Sequence, residues 1–253
     1  MDQMANIMAE EPEIPEPEPE EPPIDKVESK VGYYADIDGD GTPDGVIYAD
    51  LGVSKSGQWK DSDGAYSYSA ITNTKDYYIS DTNYEGPFGT KDVLTAKEGD
   101  GEDRFYVMAL EDFNPGTYYC WYDAAYGNMS DYATATSLDF GKGKENTAAM
   151  IAKWNNSSYG AQNDNGTYLD MWGAIQDKVA EGWFVPSRGE WGAFGDNLGI
   201  TTDNYLNCGL SGWCWSSSQR DTDDAWFAAF DDGYIVSIGV NRNDASVRLS
   251  ATF

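Results

Sequence analysis

The chain contains no histidine and only 16 lysines and arginines against 44 acidic residues. Without histidine there is no common general base and no imidazole metal ligand. Every Ser-His or Cys-His nucleophile arrangement is excluded with it. The formal charge of -28 argues against nucleic acid, whose phosphates need lysine and arginine to release counterions, and against an anionic membrane surface. Cysteine is scarce too. Cys120, Cys208 and Cys214 make an odd number, which does not read as a disulfide framework. A Cys208–Cys214 pair and free thiols both remain open. No stretch approaches the roughly 18 apolar residues needed to span a bilayer. The first residues lack the basic start and apolar middle of a signal peptide. Membrane insertion and secretion of the chain as written are therefore not expected.

What is present divides the 253 residues in two. Residues 1–30 hold six of the ten prolines, alternating with glutamate from Glu11 to Pro23, and this segment alone carries -8. Little in it could be buried to offset a backbone ordering cost of about 1–2 kcal/mol per residue. It is expected to be an extended, disordered arm that links to a larger assembly or docks a basic partner. Met1, Met4, Ile7 and Met8 have the spacing of a short helical turn for such an attachment.

Residues 31–253 are expected to form a single folded unit, of α+β class with helices in the middle and short strands at both ends. Val31 to Asp36, Gly45 to Asp50, Arg104 to Leu110 and Tyr118 to Tyr122 read as strands, with weaker signals at Tyr66–Ile71 and Asp76–Ser80. Asn146 to Trp154 and Tyr168 to Ala180 carry apolar residues at helical spacing. Ser187, with Glu190 three residues on, is a capping box opening a helix through Trp191, Phe194 and Leu198.

Two constellations could bind something. Asp36, Asp38, Asp40 and Asp44, with Gly41, have the alternating carboxylates of a calcium loop, although Ile47 stands where an EF-hand places its bidentate glutamate. A polar turn would use the same residues. No cofactor is required, and structural calcium is the one candidate. Trp213, Trp215 and Trp226 could stack on sugar rings or pack in a core. Glu111 and Glu190 read as framework or capping groups, and Cys120 as a small buried hydrophobe.

The C-terminal stretch mixes two kinds of sequence. Gly182-Trp183-Phe184-Val185-Pro186-Ser187-Arg188-Gly189-Glu190-Trp191, Trp215-Ser216-Ser217-Ser218 and Val247-Arg248-Leu249 look like framework. Together they resemble the C-type-lectin-fold variable proteins of diversity-generating retroelements, within the formylglycine-generating-enzyme-like branch of that fold. The resemblance covers roughly residues 31–253. It implies a C-type-lectin-like fold and a non-catalytic ligand-binding protein on a phage tail or bacterial surface. Its variable region, about 205–246, would be rewritten by copying template adenines as any base. The residues expected to contact ligand are Cys208, Cys214, Arg220, Asp221, Asp223, Asp224, Phe227, Ala229, Asp231, Asp232, Val236, Ser237, Ile238, Gly239, Arg242, Asp244, Ala245 and Ser246. Randomised AAC or AAT codons never yield Lys, Glu, Gln, Met or Trp. Residues 220–253 contain no Lys, Glu, Gln or Met, and their one tryptophan, Trp226, looks like framework. The reactive cysteine pair of the formylglycine-generating enzymes is not carried over, because Cys208 and Cys214 fall in the variable stretch. Nor is calcium-dependent sugar binding, because the C-terminal region has no Glu-Pro-Asn-like loop. The expected partner is a protein or cell-surface receptor with a basic or donor-rich face, gripped by Phe227 and Ile238 as apolar anchors. A carbohydrate-binding or carbohydrate-processing protein using its aromatics is the alternative, and a surface protein with no selected ligand is the third.

Overall fold

Backbone hydrogen bonding in a computed structural model shows an α+β arrangement with mostly antiparallel sheet and few helices. The structure describes residues 28–53, 56–61, 64–69, 74–97, 99, 101–122, 136–155, 170–221, 223–239 and 245–253. The Glu-Pro arm up to residue 27, with its candidate helical turn, lies outside these. So do Arg242 and Asp244.

Seven strands come first: β1 (Tyr34–Asp36), β2 (Gly45–Asp50), β3 (Ser56–Asp61), β4 (Gly64–Ser69), β5 (Tyr77–Gly86), β6 (Gly89–Ala96) and β7 (Phe105–Ala109). Four helices follow: α1 (Gly143–Trp154), α2 (Met171–Ala174), α3 (Gln176–Ala180) and α4 (Arg188–Leu198). The chain closes with β8 (Trp213–Gln219), β9 (Asp224–Ala229), β10 (Tyr234–Gly239) and β11 (Ser250–Thr252). The main sheet has the order β11-β7-β2-β1-β6-β5, so the last strand returns beside the N-terminal strands. Only β1 and β6 run parallel within it. A second sheet has the order β10-β9-β8, and β3 pairs with β4 as a separate hairpin.

Local signals explain several boundaries. Ser187 accepts from the Glu190 backbone N–H while the Glu190 carboxylate accepts from the Ser187 N–H, so the capping box opens α4. Gly199, in the left-handed region at φ 63°, closes it. Tertiary contacts changed other expectations. The Tyr168–Ala180 helix is in fact two short pieces, α2 and α3, meeting at Ile175 with φ -90° and ψ 0°. Its first two residues lie outside the described set. Tyr118–Tyr122 is no regular strand: Tyr119 bridges Ala245 and Cys120 bridges Asp170, each singly. Lys30, the last residue of the expected arm, is buried, and its N–H donates to Asp50 Oδ2 at 2.9 Å.

Among the described residues, Ala35, Ile47, Leu94, Phe105, Val107 and Phe253 make one small buried cluster on the main sheet, and two larger aromatic clusters accompany it. One gathers Trp121, Met150, Met171, Trp172, Trp215 and Phe227 between the helices and one face of β8–β9. The other packs Tyr34, Tyr48, Trp191, Phe194, Ala228 and Phe230 between α4, the main sheet and the opposite face. The β8–β9 hairpin is thus covered on both sides. Burying large rings against each other, as in the perpendicular Trp121–Trp172 pair at 5.2 Å, supplies much apolar area per residue. Among the described residues no helix is long and apolar enough to cross a membrane.

Candidate functional site

The β8–β9–β10 sheet carries most of the residues singled out in the C-terminal stretch. Its centre is a hydrogen-bonded lattice. The Trp121 indole donates to the Ser216 carbonyl at 2.8 Å, the Trp191 indole to the Trp215 carbonyl at 3.1 Å, and the Trp215 indole to the Tyr119 carbonyl at 2.7 Å. The three serines are used as pins. Ser216 Oγ donates to the Trp226 carbonyl at 2.8 Å, Ser218 Oγ to the Ser137 carbonyl at 2.8 Å, and Ser217 Oγ accepts from Asn146 Nδ2 at 3.2 Å. All are buried, and a buried hydroxyl without a partner would cost about 1–3 kcal/mol. Arg248, fully buried, donates through Nε to Asp112 Oδ1 at 2.7 Å and through a terminal nitrogen to the Gly209 carbonyl.

Exposed groups sit at the two ends of this hairpin. At the β8–β9 turn, Arg220, Asp221 and Asp223 are exposed and Asp224 is half-buried. Arg220 pairs with Asp224 Oδ2 at 3.2 Å and Asp221 Oδ2 at 3.7 Å, while Asp221 Oδ1 accepts the backbone N–H groups of Asp223 and Asp224 at 2.9 Å each. Trp226, half-buried behind them, lies under the Arg188 guanidinium at 3.9 Å, with Arg220 at 6.0 Å. At the far turn Asp231 and Asp232 are exposed, and Asp231 Oδ1 accepts from the Trp213 indole at 2.9 Å. At about 3.4 Å per residue, β9 separates these two ends by roughly 17 Å. Cys208, half-buried, stands in the turn before Gly209.

Five residues expected at the ligand surface belong to the interior instead. Cys214 and Ala245 are fully buried, and Ala229, Phe227 and Ser246 are at most 3% exposed. Phe227 is wedged between Trp213 at 5.2 Å and Trp215 at 6.0 Å, so it cannot anchor a partner. Ser246 donates its N–H to the Trp213 carbonyl and accepts at its own carbonyl from Trp215 N, both at 2.9 Å. For Phe227 and Ala229 the reason is the cover on β9, whose side chains from Phe227 to Ala229 are all buried; Cys214 lies on covered β8, and Ala245 and Ser246 bridge to Tyr119 and Cys214. Val236, Ser237, Ile238 and Gly239 lie on β10 opposite Phe227, Trp226, Ala225 and Asp224. Trp215, fully buried, is no sugar platform.

Cys208 and Cys214 are both free. Burial, with Asp112 adding to it, pushes the Cys214 thiol up to about 12, so it stays protonated and a poor nucleophile near neutral pH. Glu190 is fully buried, and burial pushes its carboxyl up to about 7 against the pull of N–H donors at Ser187, Gly141 and Gly143.

Among the described residues, Asp36, Asp38 and Asp40 bring ligand oxygens within 4.8 Å of one another. Asp44 does not join them, which corrects the four-carboxylate expectation. Its Oδ2 accepts from the Ile37 N–H at 2.7 Å, and burial raises its carboxyl. The other three carboxylates also accept local backbone N–H groups: Asp36 from Gly39 and Gly41, Asp38 from Asp40, and Asp40 from Thr42. Ile47 is fully buried in β2. The segment is built as a self-bonded turn.

No protein-family model matches this chain, and no curated protein or solved structure is similar to it. The chemistry of the site therefore rests on its own residues. The Asp112–Arg248 pair, 136 positions apart, and the Arg188–Trp226 stack had no counterpart in the sequence reading. Only the proximity of Arg188 and Arg248 to recognisable motifs hinted at them.

Proposed function

We propose that this chain is a non-catalytic ligand- or receptor-binding protein of C-type-lectin-like fold. Its exposed C-terminal turns are diversified by retroelement mutagenesis, and its setting is a phage tail tip or a bacterial surface. The observation that carries this reading is a segregation within one hairpin. The motif residues Trp215 to Gln219 and Val247 to Leu249 are buried, while Arg220, Asp221, Asp223, Asp231 and Asp232 between them are exposed and bonded mainly to near neighbours. Side chains there can change with little effect on the core, which is what a varied binding surface requires. The five interior residues leave the candidate set. Among the residues whose exposure is described, the surface then consists of the two turns.

A standard interface takes about 800 Å² per partner. Two turns roughly 17 Å apart are within one such footprint. The exposed aspartates outnumber Arg220, so the partner presents a basic or donor-rich face. The first experiment is to sequence the DNA flanking the 3′ end of the gene. A near-copy of the segment encoding 205–253, differing only at its adenines and beside a reverse transcriptase gene, is the expected result. Absence of any such copy would overturn the diversification. Given a captured partner, replacing Asp221, Asp223, Asp231 and Asp232 with Asn should weaken binding at least tenfold, and unchanged affinity would sink the electrostatic reading.

A further inference from the structure

A second recognition site lies away from those turns. Between the start of β2, the loop after β7 and the end of α3 is a cleft of about 400 Å³. This lies within the roughly 300–1,000 Å³ typical of small-ligand pockets. Four separate segments line it. Asp44 comes from the acidic turn, Glu111 and Asn114 from the loop after β7, Lys178 from α3, and Trp183 from the turn after α3. Phe113 and Leu249 add apolar wall.

The polar groups in the cleft are underused. Glu111 is exposed and makes no ion pair or side-chain hydrogen bond among the described residues. Trp183 is half-buried against the helical core, and its indole N–H likewise has no partner there. Asn114 donates its amide to the Tyr119 hydroxyl at 3.0 Å, which leaves its carbonyl oxygen open. Asp44 is engaged within its own turn, accepting the Ile37 N–H at Oδ2 and interacting with the Asp38 N–H, so it serves as acidic wall. Asn114 is also, among the described residues, the one non-glycine residue with a positive φ, 49°, a conformation that asparagine tolerates.

We propose that this cleft binds a neutral, hydroxyl-rich ligand of mono- or disaccharide size. The two Glu111 oxygens and the Asn114 side-chain oxygen match hydroxyl donors, and carboxylate acceptors make the stronger charge-assisted bonds. Lys178, whose ammonium also pairs with Glu181 Oε2 at 2.6 Å and keeps further N–H groups, and the Trp183 indole supply donors for ring and hydroxyl oxygens. The Trp183 ring offers an apolar surface for the C–H side of a pyranose. Asp44 and Glu111, in a chain of charge -28, disfavour an anionic ligand. Buried Trp215 has no part in it, so the site is distinct from the tryptophan cluster of the C-terminal sheet.

The test is a tryptophan-fluorescence titration of the whole chain with glucose, galactose, mannose, N-acetylglucosamine, lactose and cellobiose, with spermidine as an amine probe. At least one sugar should saturate. Trp183→Ala and Glu111→Gln should each weaken that sugar at least tenfold, Trp183→Phe less, and a change at exposed Asp203, Asp203→Asn, not at all. Saturation-transfer NMR on the sugar gives a readout independent of the tryptophans. Glu111→Gln alters an exposed side chain and decides the matter if Trp183→Ala fails to fold. No saturable sugar, saturation by spermidine alone, or equal binding by Glu111→Gln would each overturn the proposal.

Discussion

The β8 strand and the turn that follows it are neighbours in sequence and opposites in physics. From Trp215 to Gln219 every residue is buried; Ser216 also accepts the nearby Ser218 N–H, but Trp215 and the three serines each reach partners 10 to 96 positions away. In the turn, Arg220, Asp221 and Asp223 are exposed and Asp224 is half-buried, and the bonds among these four span one to four residues. Long-range bonds in a covered hairpin make each substitution a core event. Short-range bonds in a solvated turn confine a substitution to the turn. A binding surface can therefore vary beside a framework that cannot.

The sharpest way to break this comparison is to exchange the costs. Trp215→Ala removes a fully buried ring and the indole bond to Tyr119, and should lower stability by about 3–5 kcal/mol in urea denaturation. Next comes Arg248→Ala, which leaves Asp112 without its bonded cation. A loss of about 3 kcal/mol is expected, somewhat tempered because the Asp112 side chain is 11% exposed.

Glu190 gives the comparison a pH axis. Its folded carboxyl lies near 7 against an ordinary 4.5, so its contribution is full below the lower value and is lost as pH rises through the upper. Relative to Glu190→Gln, the native chain should lose on the order of 3 kcal/mol between about pH 4.5 and about pH 8.5. Parallel stability curves for the two proteins would contradict this. The smallest effects belong to the turns. Asp223→Ser and Asp232→Ser should each shift stability by less than about 0.5 kcal/mol, read from thermal unfolding. A larger loss at either would erase the distinction between framework and turn.

Much of the framework was legible because its causes are local. Ser187 and Glu190 form their capping box within one turn of helix, and Gly199 ends that helix one residue beyond it. The strands at Gly45–Asp50 and Phe105–Ala109 are continuous apolar runs, as strands covered on both faces should be. β3 and β6 escaped notice. Ser56–Asp61 and Gly89–Ala96 are rich in glycine, lysine and aspartate, and β6 is defined by its pairing with β1 and β5. In the candidate site, Arg220, Asp221, Asp223, Asp231 and Asp232 stand at the surface as their polarity suggests. Phe227, Ala229 and Ala245 do not, because small and aromatic side chains suit a variable surface and a two-sided core equally well.

Sequence alone determined the charge, the absence of imidazole chemistry, the α+β class and the helix cap. Each follows from composition or from contacts within a few residues. Tertiary structure alone decided which side chains of the C-terminal sheet are interior, how Arg248 meets Asp112 across 136 positions, and that four distant segments line one cleft. Those outcomes depend on what covers each face of a strand, and no local pattern of residues records that.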